Sequence, residues 1–195
     1  MSIVAVKINP DTIDLCSDSF IGDQYQQAKM SFAKSFQVNG ITIGGAGSAE
    51  EISLLKIFCQ NHSPATMDED GVIDFFVEFI EWKKKKIPSH LVRYPWRRSG
   101  KANRGVLSRI WYGIWKKSAN ATLTNAYLLI YHSKVFSIKD LYVREITTYW
   151  ALGAGETYAK AALHLGHSAY EAVQVASELS PWCETPINTI QIKKE

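Results

Sequence analysis

The sequence has little of what marks an exported, membrane-inserted or metal-stapled chain. Its three cysteines, Cys16, Cys59 and Cys183, lie far apart, show no metal-type pair spacing, and would leave one thiol over if two were bridged. A reducing compartment suits such a chain. No uncharged stretch reaches the ~18 residues of a membrane span, and the opening MSIVAVKI lacks the basic lead and long apolar run of an export signal. These absences predict a cytoplasmic protein with no membrane partner. The formal charge is only +3, too small for a surface that coats nucleic acid throughout, so any basic function must be local. No internal repeat of fixed period appears. What remains is a chain of 195 residues, 46% hydrophobic, long enough for one well-cored domain and short for two. Residues 1–195 therefore read as a single domain.

Along the chain, residues 2–8 and 12–17 are short runs of strand formers around Asn9-Pro10-Asp11, a turn signal, and predict a hairpin that starts at the first residues. A second hairpin, 33–38 with 41–45, is signalled by Asn39-Gly40. Ser48-Ala49-Glu50-Glu51 resembles a capping box that opens a helix ending near His62. Residues 72–85 predict a second helix with Asp70 near its start and a stripe of Ile73, Phe76, Val77 and Ile80. Strands follow at 126–132, 134–138 and 146–152, then a helix opened by Gly153-Ala154-Gly155, a second capped by Ser168, and a closing strand at 187–192. Strands, two helices, strands, two helices and a strand make an α+β order, which predicts two packed sheets with a helix pair on each outer side.

The motifs at both ends of this order resemble the proteasome β-subunit and HslV-like family of N-terminal-nucleophile hydrolases. Ser2-Ile-Val-Ala-Val-Lys7 with Cys16-Ser-Asp-Ser19 is similar to that family's first hairpin, and Ile43-Gly-Gly-Ala-Gly47 to its glycine turn. Ala151-Leu-Gly-Ala-Gly155, then Gly166-His-Ser-Ala-Tyr-Glu-Ala-Val173, is similar to its second turn and helix pair. The resemblance covers roughly residues 2–60 and 126–193. It implies a four-layer αββα sandwich with an irregular basic insertion at about 83–121. In the family the nucleophile is the first residue of the mature chain, its own amine is the base, and an Asp and a Lys stand seventeenth and thirty-third. Counted from Ser2, those positions are Asp18 and Lys34.

The chemistry has a use for each type. A hydroxyl is a poor nucleophile until a nearby base takes its proton. An α-amine, with an ordinary pKa near 8, is a better base at working pH than a lysine side chain. The N-terminal variant is a recognised counterpart of the Ser-His-Asp triad. The resemblance thus implies Ser2 as nucleophile once Met1 is removed, Lys34 as a cation favouring developing negative charge, and Asp18 as its holder. It also implies the Gly47 N–H as oxyanion donor, a role compatible with a plain strand-to-helix turn. No cofactor or metal is expected. The family further implies a polypeptide substrate, a self-compartmentalised homo-oligomeric ring and an AAA+ unfoldase partner.

The chain departs from the family pattern at Ala154, where the family has Ser, and at Ser180 and Cys183, where it has an Asp and a Ser that support the nucleophile. A second function therefore stands beside peptidase activity: a catalytically inactive proteasome-like scaffold or binding protein. The insertion interleaves Lys83–Lys86, Arg93, Arg97, Arg98, Lys101, Arg104 and Arg109 with Trp82, Tyr94, Trp96, Trp111 and Trp115. Subunit or partner contact is its first reading, and single-stranded nucleic acid its second.

Overall fold

Alternation of apolar residues organises the amino-terminal half. In the computed structural model, which describes residues 2–22, 27–29, 33–86 and 122–194, β1 (Ile3–Ile8) and β2 (Thr12–Ser17) form the first antiparallel hairpin, with Val4 opposite Ser17 and Ile8 opposite Ile13. A ribbon of β3 (Phe20–Gly22) and β4 (Gln27–Lys29) follows, which the sequence pattern did not announce. The second hairpin joins β5 (Ser35–Val38) to β6 (Ile41–Ala46) through Asn39 and Gly40, both at positive φ (51° and 73°), as a tight two-residue turn requires. Helices α1 (Ala49–Phe58) and α2 (Glu69–Lys86) come next. The chain continues with β7 (Ala126–Tyr131), β8 (Lys134–Lys139), β9 (Tyr142–Ile146) and β10 (Tyr149–Gly153). Helices α3 (Glu156–His164) and α4 (Ala169–Leu179) and strand β11 (Asn188–Lys193) complete it.

Two antiparallel sheets result, ordered β10-β1-β2-β11 and β5-β6-β7-β8-β9. Side-chain alternation in β1 separates their environments. Val4 and Val6 join Leu15, Leu128, Ile130 and Val135 in a core built from both sheets. Ile3 and Ala5 point the other way, into a core with Ala159, Ala162, Ala172 and Ala176 of α3 and α4, where small side chains let helices lie close to the strand. A third core, rich in aromatics, holds Phe58, Phe75, Phe76 and Phe79 of α1 and α2 with Tyr127 and Phe136 of the larger sheet.

Three local expectations change. The stripe of α2 is Val72, Phe75, Phe76, Phe79 and Ile80, while Val77 is exposed. Phenylalanines bury more apolar area than valine, so the helix turns them inward. The strand expected at 146–152 is β10, at Tyr149–Gly153, and an unannounced edge strand, β9, precedes it: Asp140 and Leu141 adopt positive φ and turn β8 into β9, which carries Arg144 and Glu145. Third, the irregular insertion expected from residue 83 starts only after α2, whose last turn, 83–86, continues the helix expected over 72–85. The rest of that segment, 87–121 with Trp96, Trp111 and Trp115, lies outside the described residues. Among the described residues no helix is long and apolar enough to cross a membrane.

Candidate active site

The four residues singled out in the sequence sit at the same end of the two sheets. Ser2 immediately precedes β1 and is buried. Its carbonyl accepts a hydrogen bond from Ala154 N–H at 2.7 Å, so Ala154 serves through its backbone whatever its side chain. The next residue, Ile3, donates its N–H to Asp18 Oδ1 at 2.9 Å. Lys34 Nζ reaches the same oxygen at 2.6 Å, with the two side chains only 3% and 0% exposed. Asp18 Oδ2 accepts from the N–H groups of Phe20 (3.2 Å) and Glu184 (3.3 Å). Three backbone N–H groups and one ammonium thus fix this carboxylate.

Asp18 follows β2 of one sheet and Lys34 precedes β5 of the other, so the ion pair bridges the sheets. Beside it the Ser17 and Ser35 hydroxyls hydrogen-bond at 3.1 Å, and Lys34 C=O accepts from Gly45 N–H at 2.8 Å. Burial pushes the Lys34 ammonium below its ordinary value, against the opposing pull of Asp18. Cys183, also buried, is electrostatically coupled to Lys34 and Asp18, and burial raises its thiol despite a hydrogen bond from Ser180. Ser180 Oγ accepts from Trp182 N–H at 3.3 Å.

Ser2 and Gly47 line one cleft of about 450 Å³ together with Ala46, Thr124, Asn125, Lys139, Leu152 and Gly153. Gly47 has φ 140°, and a Cβ there would lie 2.2 Å from Asn125 Oδ1. Gly153 has φ 111°, and a Cβ there would lie 2.1 Å from the Ser2 carbonyl oxygen. Both positions admit only glycine, one for a turn and one for the close approach of β10 to Ser2.

The sequence reading missed the groups that hold the Gly47 turn. Asn125 Oδ1 accepts from Ser48 N–H at 2.6 Å, and its Nδ2 donates to Ser48 C=O at 2.8 Å. Glu51, buried behind it, accepts from Asn125 N–H (3.1 Å), Thr124 N–H (3.1 Å), Thr124 Oγ1 (2.9 Å), Tyr127 OH (3.0 Å) and Lys83 Nζ (2.5 Å). The capping box expected at Ser48 is consequently not formed: the Ser48 side chain makes no cap bond, and Glu51 turns to the 124–127 segment. At the other predicted cap, Ser168 and Glu171 do form a reciprocal box. Among the described residues no cluster of histidine, cysteine or acidic groups could hold a metal ion, and the three cysteines are free and buried.

This architecture has the proteasome-like fold of BPH and HslV. The particular structures it is similar to include Thiobacillus denitrificans BPH in complex with epoxomicin, at TM-score 0.75 and 12% identity over 99% of each chain. BPH without that compound gives 0.73 and 13%, over 99% of this chain and 98% of the other. A eukaryotic HslV from Trypanosoma brucei gives 0.61 and 18%, over 98% of this chain and 99% of the other. No protein-family model and no curated protein matches the chain.

Proposed function

We propose that the protein is a proteasome-like peptidase of the four-layer αββα type that cuts polypeptide with Ser2 as nucleophile after Met1 is removed. The observation that carries this reading is the convergence of Ile3 N–H and Lys34 Nζ on one oxygen of Asp18, next to a serine that opens on a cleft shared with Gly47. In the reaction the free amine of Ser2 takes the proton from its own hydroxyl as Oγ attacks the peptide carbonyl. The Lys34 ammonium favours the negative charge that develops, and Asp18 keeps that ammonium in place. Gly47 N–H donates to the oxyanion. The proton then passes to the leaving amine, and water hydrolyses the ester formed on Ser2. BPH, solved in complex with epoxomicin, is similar over 99% of this chain, which supports a ligand-accepting role for this fold. Residues 1–195 act as one domain, with the basic insertion placed after the end of α2. The family likeness also supports a closed homo-oligomeric ring in a cytoplasmic setting, served by an AAA+ unfoldase.

The second reading, an inactive scaffold, is favoured by one observation: Ser180 and Cys183 stand where the family pattern has an Asp and a Ser. Intact mass decides between them. A chain beginning at Ser2 that hydrolyses a small amide or ester substrate, and a Ser2→Ala variant that folds but does not, are expected. Met1 retained on the purified protein would remove the amine base and defeat the peptidase reading.

A further inference from the structure

Glu51 stands at the third residue of α1, where its usual partner would be the N–H of Ser48. It leaves that N–H to Asn125 and directs its own oxygens to the other side, to Lys83 of α2 and to the 124–127 segment. The consequence is a chain of contacts with a direction. Lys83 fixes Glu51, Glu51 fixes the backbone of Thr124 and Asn125, and the Asn125 amide grips both the N–H and the C=O of Ser48. That grip sits directly against the Gly47 Cα, where Asn125 Oδ1 occupies the space of a side chain. A buried ion pair is poor grounds for expecting stability, since its desolvation offsets much of its attraction. What five donors on one carboxylate supply is a fixed orientation, and the group oriented here borders the cleft that holds Ser2.

We propose that Glu51 is a positioning residue for the Ser2 site, setting the Gly47 turn through Asn125. Its catalytic consequence rests on the reading of Ser2 and Gly47 as reacting groups. An oxyanion donor acts only when pre-aimed at the position the charged oxygen will occupy, so a loosened turn weakens the transition state more than substrate binding.

The test pairs steady-state kinetics on a small amide or ester substrate with amide hydrogen exchange, both on the full chain. Glu51→Gln is expected to lower kcat by about tenfold or more, short of the ~10²–10³ lost with an oxyanion donor outright, with KM nearly unchanged. Exchange at Ser48 N–H should quicken by about tenfold or more, while the β1 and β2 amides keep their protection. Should Glu51→Gln alone leave Lys83 too poorly paired for folding, Glu51→Gln with Lys83→Met removes both charges together, and the same Ser48 readout applies. Adding Glu51→Gln to Asn125→Ala should lower kcat little further, because both act on one turn. Unchanged Ser48 exchange in either folded Glu51 variant overturns the proposal, as do kcat losses that add in full. A parent protein without turnover, whose Ser48 amide nevertheless loosens in Glu51→Gln, would sink the nucleophile reading while supporting the link from Glu51 to the turn.

Discussion

Among the described residues, Lys34–Asp18 and Lys83–Glu51 are two enclosed acid–base pairs, and they are built differently. Lys34–Asp18 bridges the sheets with both partners almost fully enclosed, the lysine side chain 3% exposed. Lys83–Glu51 ties α2 to α1, with the lysine side chain 12% exposed, a second contact to Thr122 C=O at 3.4 Å, and the Phe79 ring 5.7 Å away. In the first pair the carboxylate is saturated by backbone N–H groups, so the cation depends on Asp18 and burial depresses its pKa. In the second the carboxylate is the hub, and its five donors outweigh burial to hold its pKa below the ordinary value. One pair is tied to the residue after Ser2 through the Ile3 N–H on Asp18. The other is tied to the backbone of Thr124 and Asn125. The difference teaches that similar distances and similar burial do not imply similar work: what matters is which partner keeps free bonding capacity.

The comparison breaks most visibly at Lys34. Lys34→Ala should leave Asp18 charged, enclosed and without its counter-ion, a loss of about 3 kcal/mol or more, softened by the three backbone donors that remain. Activity should fall by at least roughly 10³-fold, as for a group acting as a unit with the nucleophile. Chemical denaturation gives the first number and substrate turnover the second. A folded Lys34→Ala protein that still labels at Ser2 with an amino-terminal-nucleophile inhibitor, at the parent rate, would remove Lys34 from the site.

Lys83→Ala is the matched, smaller case. Glu51 keeps Thr124, Asn125 and Tyr127 as donors, and the ammonium it loses is partly solvated, so about 1–3 kcal/mol is expected. Turnover should fall only severalfold. If Lys83→Ala proved as damaging to activity as Lys34→Ala, the division between a cation that acts and a cation that fastens would collapse.

These two pairs were not equally legible. Asp18 and Lys34 were legible through the family resemblance, which implies an Asp and a Lys seventeenth and thirty-third from the nucleophile, and they flank hairpins whose turns, Asn9-Pro10-Asp11 and Asn39-Gly40, are among the clearest local codes. The Glu51–Lys83 pair joins residues 32 apart, and Glu51 meets Asn125 across 74. Neither separation is encoded by any period. Worse, the local signal misleads, since Ser48 to Glu51 reads as a capping box and the same pattern at Ser168 to Glu171 truly is one. The one hint was a Glu entering a helix directly after a glycine turn. Strand β9 was lost for a related reason, as the turn before it uses Asp140 and Leu141 at positive φ and carries no glycine. The helix pair α3–α4 was legible because its alanines at helical spacing and its Ser168 cap agree with the packing they serve.

The smallest expected effect separates the pairs by acid. Burial acts to raise the Glu51 carboxyl, and Lys83, Thr124 and Tyr127 together more than reverse it, leaving its folded pKa below the ordinary value. A depressed carboxylate pKa means that the unfolded chain binds the proton more readily than the folded one. Its contribution to stability is therefore complete above the ordinary glutamate value of about 4.3 and is lost as pH falls through the lower folded value. The lowered pKa of Lys34 acts at the other end: stability rises with pH between its depressed value and the ordinary ~10.4, while an activity that needs the ammonium declines. Urea denaturation of parent and Glu51→Gln at a series of pH values should show a stability gap that is constant near neutrality and narrows below about pH 4.3. A gap that held constant to the acid limit of folding, or widened there, would mean that Glu51 is not the charged hub of its network and that the contrast between the two pairs has been drawn at the wrong group.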